Sequence, residues 1–323
     1  MRIKILYAVI IILSVFFLKS CGSSDIYDYD FDSGDPGEIL SNILASYRKN
    51  GMTSWWDILA VYNAGENPMD YKGFGDVLNS LDGGETNIKA ASYVIAANAA
   101  LAIGADEAHF ENYGEYKSKL KDFLEENPAD NNYTINDYIF AYLALFTSGE
   151  NFSFRQAISY LSGLQKSDGG FSLSGNSGDI DITAYTFQVL DIAGEREPFE
   201  WTVEFTDAIF NFFGNNIREN GTFVEFWGKT ENANSTAAAL SAFIKLGGKN
   251  EITSEKYREM TEKTIAGLSL FKLTDSAGYS HTIGGRENAL ATSQAAIALG
   301  DVKNNMSVWE KLYLDIRERL YFE

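Results

Sequence analysis

The chain has 323 residues, of which 45 are acidic and 26 basic, for a formal net charge of −19. A surface that acidic repels phosphate backbones and anionic headgroups, which argues against nucleic acid and leaves any membrane attachment to an anchor. With one cysteine, Cys21, and two histidines, His109 and His281, disulfides and the common His-rich or Cys-ligated zinc sites are excluded; a metal held by carboxylates alone stays open, and no cofactor and no metal site is assigned.

Residues 1–20 read as a signal peptide. Arg2 and Lys4 supply a basic start, and residues 5–18 are apolar without a break, long enough for a signal core and short for a bilayer span. Leu18-Lys19-Ser20-Cys21 is similar to a bacterial lipobox. That similarity implies a lipidated Cys21 at the start of the mature chain, and a protein exported to the bacterial cell envelope and anchored there on the extracytoplasmic side. Residues 21–37 form an acidic tether, with five Asp and no basic residue in GSSDIYDYDFDSGDPG. Asp28, Asp30 and Asp32 alternate as in a calcium loop, but the glycine arrives late at Gly34 and Ile39 stands where the closing Glu belongs, so a solvated spacer is the reading.

From residue 38 to 323 one unit recurs: an amphipathic helix, a Gly/Asn-rich loop, a helix of small and apolar residues, and a glycine stop. The stops are Gly65, Gly104, Gly149, Gly194, Gly247 and Gly300, each expected to end a helix in the left-handed conformation. Segments 90–104, 235–247 and 288–300 are apolar or small nearly all round, as fully buried helices are. Segments 110–126 and 252–271 carry one apolar stripe and a charged back, as helices facing water do. Six pairs of that kind predict an all-α fold, an α/α toroid with inner and outer rings, and segment 307–322 supplies an extra C-terminal helix. The alternative is an open superhelical array of helix pairs.

Counting thirteen residues back from each stop gives Met52, Ala91, Asn136, Asp181, Asn234 and Glu287. On that register Asp181 reads as a helix N-cap, and Asp179 has no equivalent in the other repeats, which marks it for something more specific. Asp168 belongs to a polar turn. The long loops 166–179, 219–231 and 273–286 all lead into buried helices and converge on one end of the ring. They carry Trp227, Tyr279, His281 and Arg286, with Trp55, Trp56 and Tyr133 at comparable points of earlier repeats. With Asp179, these are the candidate ligand-binding residues at the mouth.

Gln165-Lys-Ser-Asp-Gly169-Gly-Phe171 resembles the Q-x3-G-x-aromatic motif of the squalene cyclase and protein prenyltransferase toroids, with echoes at Glu219–Phe223 and Asp275–Tyr279. Asp179-Ile-Asp181-Ile-Thr183-Ala184 resembles the D-x-D-D-T-A box of class II terpene cyclases. That resemblance implies that Asp181 aligns with their general acid, while Ile182 stands where the adjacent carboxylate belongs. The prenyltransferase zinc site needs a thiol that the folded part lacks. The similar branch without catalysis is the helical domain of cobalamin carriers. The resemblance therefore implies a non-catalytic toroid that binds a small molecule, a glycan or a surface protein, with no catalytic residue assigned and Asp179 and Asp181 as candidates. Two alternatives stand: a degenerate terpene cyclase, and an (α/α)6 carbohydrate hydrolase or lyase. The second needs two carboxyl groups across a cleft, drawn from Asp137, Asp179, Glu225, Glu231 and Glu287.

Overall fold

The structure, a computed structural model, describes residues 35–322 except 84–85, 127–132, 151, 153, 198, 201, 228 and 247–253. The leader, Cys21 and all but the last residues of the acidic tether lie outside the described residues.

Among the described residues, thirteen α-helices alternate between an outer and an inner ring. They run α1 (Pro36–Asn50), α2 (Trp55–Asn63), α3 (Phe74–Leu81), α4 (Asn87–Leu101), α5 (Tyr113–Glu126) and α6 (Ile135–Thr147) in the first half. The second half holds α7 (Arg155–Ser162), α8 (Ile180–Arg196), α9 (Val203–Asn216), α10 (Ala233–Leu246), α11 (Ser254–Ser269), α12 (Ala289–Asn304) and α13 (Val308–Phe322). Even-numbered helices form the inner ring, each packed on the next, and α12 packs on α2. The ring is closed, which makes this an α/α toroid and excludes the open array. A two-residue hairpin, β1 (Phe223–Val224) with β2 (Glu231–Asn232), sits ahead of α10. No helix among the described residues is long and apolar enough to cross a membrane.

The inner helices follow from their composition. In α4, Ala90 through Leu101 are all buried, because Ala and Ser let neighbouring backbones approach from every side. Closure rests on a polar contact between first and last repeats. Asn63 Nδ2 of α2 donates to Ile297 O at 2.9 Å and to Asp301 Oδ1 at 2.8 Å in α12. Gly300 makes room for it, since a Cβ there would lie 2.5 Å from Asn63 Nδ2.

Three glycine stops end helices as expected: Gly65, Gly104 and Gly149 have φ of 89°, 99° and 73°. Gly194 and Gly300 lie instead inside α8 and α12, and Gly247 is outside the described residues. Helix α12 runs on to Asn305, whose φ of 48° ends it.

The C-terminal helix α13 closes the ring where the inner helices finish. Trp309 is buried and its ring lies 6.4 Å from Trp56. Lys245 Nζ of α10 bridges Asp191 of α8 at 2.9 Å and Glu310 of α13 at 2.7 Å. Arg319 donates to Leu101 O and Ala105 O at 2.6 Å each, covering carbonyls at the end of α4. The remaining central cavity, bounded by Trp56, Tyr185, Gln188, Ser241 and Trp309, is about 10 Å³, room for a single water. The toroid is filled at its centre.

Candidate functional site

Each inner helix starts at a polar cap, and the caps set the register of everything that faces the mouth. Asp179 Oδ1 accepts the Ile182 N–H at 3.0 Å, Asn232 Oδ1 the Ser235 N–H at 2.8 Å, and Asn288 Oδ1 the Ala291 N–H at 2.9 Å. Asp179 is thus the cap of α8, with repeat-wide equivalents, and Asp181 is not a cap. A threonine four residues beyond each cap completes the pattern: Thr183, Thr236 and Thr292 take the backbone N–H of Phe171, Phe223 and Tyr279 at 2.8, 3.0 and 2.9 Å. Tyr279, buried like Phe171, is therefore a wedge between repeats and not a mouth residue. Burial drives its hydroxyl well above the ordinary tyrosine range.

Two residues past the cap the side chain turns toward the lumen. Asp181, Asn234 and Leu290 occupy that position in the last three repeats, and all line one cleft of about 380 Å³. Glu225 enters it from the β1–β2 loop, His281 from the loop ahead of α12, and Gln294 from one turn deeper in α12. A hydrogen-bonded chain fixes the wall. Gln294 Nε2 donates to the Tyr185 hydroxyl at 3.1 Å, Asn234 Nδ2 donates to Gln294 Oε1 at 2.6 Å, and Asn234 Oδ1 lies 2.6 Å from His281 Nδ1. An amide oxygen only accepts, so His281 carries its hydrogen on Nδ1. Its Nε2 then faces Glu225 Oε2 at 3.8 Å.

Asp181 is the unsatisfied group in this wall. Its Oδ1 is buried and has no hydrogen-bond partner in the described structure. Burial, then the charges of Asp179 and Glu225, push its carboxyl up to about 7, against the pull of a hydrogen bond from Ser235. A carboxyl in that range holds a proton near neutral pH and can give it away. The Asp179 carboxyl is raised as well, by burial, while its bonds to the Ile182 and Asp181 amides oppose the shift.

The remaining candidates divide. Trp55 and Trp56 stack at 3.9 Å and, with Phe140 and Tyr185, form the aromatic floor beneath the mouth. Tyr133 packs on Phe123 at 4.7 Å, away from the cleft-lining residues. Trp227 stands on the hairpin loop, 73% exposed, with an edge contact to Phe226 at 5.0 Å. Arg286 is exposed and does not line the cleft. Asp137 is occupied by the Thr134 amide and hydroxyl at 2.9 and 2.7 Å, and Glu231 by Asn220 at 3.0 Å. Of the five carboxylates weighed as one member of a catalytic pair, Glu225 is the one that lines the cleft with Asp181. Asn234, Gln294 and Tyr185 are not among the expected site residues; Asn234 stands two past its cap, and Tyr185 and Gln294 four residues beyond that position in their own repeats.

Around Gln165 the chain is structural, as read. Gln165 Nε2 donates to Gly169 O at 3.1 Å and reaches Phe205 O of α9 at 3.5 Å. A Cβ on Gly169, whose φ is +89°, would fall 2.1 Å from Ala208 O. Asp168 accepts the Gly170 and Gly178 amides at 3.1 and 2.9 Å, as a turn residue does.

No protein-family model and no curated protein matches the sequence. Solved structures do match, each at 12% identity. An unsaturated glucuronyl hydrolase from Bacillus sp. GL1, described as responsible for glycosaminoglycan degradation, superposes with a TM-score of 0.61 over 85% of this chain and 97% of its own. An unsaturated glucuronyl hydrolase from Streptococcus agalactiae gives 0.59 over 83% and 90%, and a polysaccharide lyase 0.54 over 85% and 98%. These neighbours overturn the resemblance to terpene cyclases and prenyltransferases. The physical reason is that Gln165, Gly169 and Phe171 perform helix-pair packing, which unrelated toroids share. The fold is the α/α toroid that these structures share.

Proposed function

We propose that this protein is a glycan-cleaving enzyme whose active site is the cleft at the toroid mouth, with Asp181 as proton donor. The observation that carries the reading is the Asp181 carboxyl, raised to about 7 and facing the same cleft as a second carboxyl, Glu225. A carboxyl that keeps its proton near neutral pH, with a second carboxyl in the same cleft, is what acid-assisted cleavage of a glycosidic bond needs. Burial holds the proton on Asp181, whose side chain lines the cleft that a sugar chain would enter. His281, oriented by Asn234, lies 3.8 Å from Glu225 in the same cleft. The exposed Trp227 beside Glu225 offers a flat apolar face to a sugar ring. The similar structures, named as carbohydrate-cleaving enzymes, support the same reading.

The test is cleavage of a panel of oligosaccharides by the purified protein and by Asp181→Asn. Loss of about 10²–10⁴ in rate, with an unchanged circular dichroism spectrum, is expected for a missing general acid. A wild type that cleaves no glycan, or an Asp181→Asn variant as fast as wild type, would overturn the proposal. The pattern of residues 1–21 further supports export and lipid attachment through Cys21, in which case Cys21→Ser moves the protein out of the membrane fraction.

A further inference from the structure

The cleft surrounds its occupant with amides and carboxyls and offers it no permanent cation. We infer that its reacting subsite takes an uncharged sugar residue, so that the reaction is hydrolysis and not β-elimination from a uronate; this rests on the glycan-cleaving reading.

Charge makes the first part of the case. Asp181 and Glu225 line the cleft with Asn234, Asn288 and Gln294, and no Lys or Arg is among the lining residues. The basic residues nearest in sequence, Lys229 in the hairpin loop and Arg286 ahead of α12, are exposed and outside the lining. His281 is the only cleft group able to become cationic, and it already sits 3.8 Å from Glu225. A bound carboxylate would stand beside Glu225 and, above about pH 7, beside an ionised Asp181, and like charges oppose one another. Asp179, behind Asp181, adds to the same field.

Reaction chemistry makes the second part. β-Elimination removes the proton on the carbon next to a uronate carboxylate and leaves a second negative charge on that carboxylate. A site for it is favoured by a cation or a metal ion against the carboxylate, which holds the charge as it forms more strongly than neutral amide donors do. The lining supplies neither a Lys nor an Arg for that place.

Hydrolysis of a neutral sugar fits what is there. Asp181 gives its proton to the glycosidic oxygen, and the C1–O bond breaks with its electron pair staying on that oxygen. Water adds at C1 and passes its proton to the Glu225 carboxylate, which releases it to solvent as Asp181 is reprotonated. The atoms balance as one water consumed and one glycosidic bond opened. Neutral hydroxyls also find partners. Asn288 caps α12 through Oδ1, which leaves its Nδ2 at the cleft as a donor, and the carboxyl oxygens accept.

The experiment uses the full chain with two sets of oligosaccharides, neutral ones and uronate-containing ones. New reducing ends report hydrolysis, and the ultraviolet absorbance of an unsaturated sugar reports elimination. The expected result is new reducing ends from a neutral oligosaccharide, no such absorbance, and loss of the activity in Asp181→Asn. Binding to Asp181→Asn, which does not turn over, is expected to favour the neutral set by at least about tenfold at low salt, a gap that narrows as salt is added. Asp181-dependent cleavage of uronate glycans, or the unsaturated product, overturns the inference and leaves glycan cleavage standing. Equal or tighter uronate binding also overturns it. Absence of any Asp181-dependent cleavage overturns both.

Discussion

Asp179 and Asp181 stand two residues apart at the head of α8 and have opposite environments: Asp179 Oδ1 is bonded to the Ile182 amide at 3.0 Å, whereas Asp181 Oδ1 is buried without a partner. The first residue belongs to the helix and the second to the cleft. Asp179→Ala removes a cap and is expected to cost about 0.5–2 kcal/mol by urea or thermal unfolding. Asp179→Asn is expected to be mild, since Asn232 and Asn288 fill the same role two repeats away and closer. An Asp179→Ala variant as stable as wild type would remove the cap assignment.

The pH dependence of glycan cleavage follows from Asp181. Its carboxyl, held up to about 7 by burial and by Asp179 and Glu225, is protonated below that value and ionised above it. The rate is expected to fall as pH rises through about 7, because the donor has lost its proton. Replacing Glu225 by Gln removes one of the charges that raise Asp181, so any residual activity is expected to lose its alkaline limb at a lower pH. A limb that moves upward in Glu225→Gln would contradict the assignment.

Asp301 provides a stability prediction independent of catalysis. Burial raises its carboxyl to about 8, against hydrogen bonds from Ser241, Asn63 and the Val308 amide, with Glu310 adding to the rise. In the unfolded chain an aspartate ionises near pH 4. Between about pH 4 and about 8 the folded chain therefore holds a proton that the unfolded chain has released, and stability falls as pH rises through that window. Asp301→Asn keeps an acceptor for Asn63 and Val308 and removes the ionisation. Its advantage over wild type in chemical denaturation is expected to grow with pH across the window; a constant difference would show that Asp301 does not titrate there.

Trp227 separates binding from packing. At 73% exposure it contributes little to the core, so Trp227→Ala is expected to leave the melting temperature almost unchanged. It is expected to weaken oligosaccharide binding by at least about 1 kcal/mol, the scale of a lost aromatic contact. Tyr321→Ala, on the 81%-exposed face of α13, is the matched control and should leave binding alone. Equal losses in calorimetric titration of both variants would place the site away from the hairpin.

The fold was legible because burial is written into composition. Segments such as 90–104 and 288–300 have no polar face, and such helices have nowhere to go but the inside of a ring. The site was legible only in part. Counting back from glycines assumed inner helices of one length, but Gly194 and Gly300 are interior residues of α8 and α12. The count therefore landed on Asp181 instead of the true cap, and made Asp179 look unique. Anchoring on Asp179, Asn232 and Asn288 would have put Asp181 and Asn234 on the lumen side together. Glu225 could not have been paired with Asp181 from sequence, because the β1–β2 hairpin that brings it there is only two residues deep on each strand.

The bond from Asn63 to Asp301 also bears on how the molecule comes apart. In an open stack of helix pairs the terminal repeats are held on one side only, and they fray first. Here the terminal repeats are neighbours: Asn63 and Asn304 hold α2 to α12, and the Val308 amide ties α13 to the same Asp301 oxygen at 2.7 Å. With the first and last repeats held to each other, partial opening has to break an interior seam. Hydrogen exchange along the inner helices is then governed by one all-or-none opening, with the same protection in the first repeat as in the last.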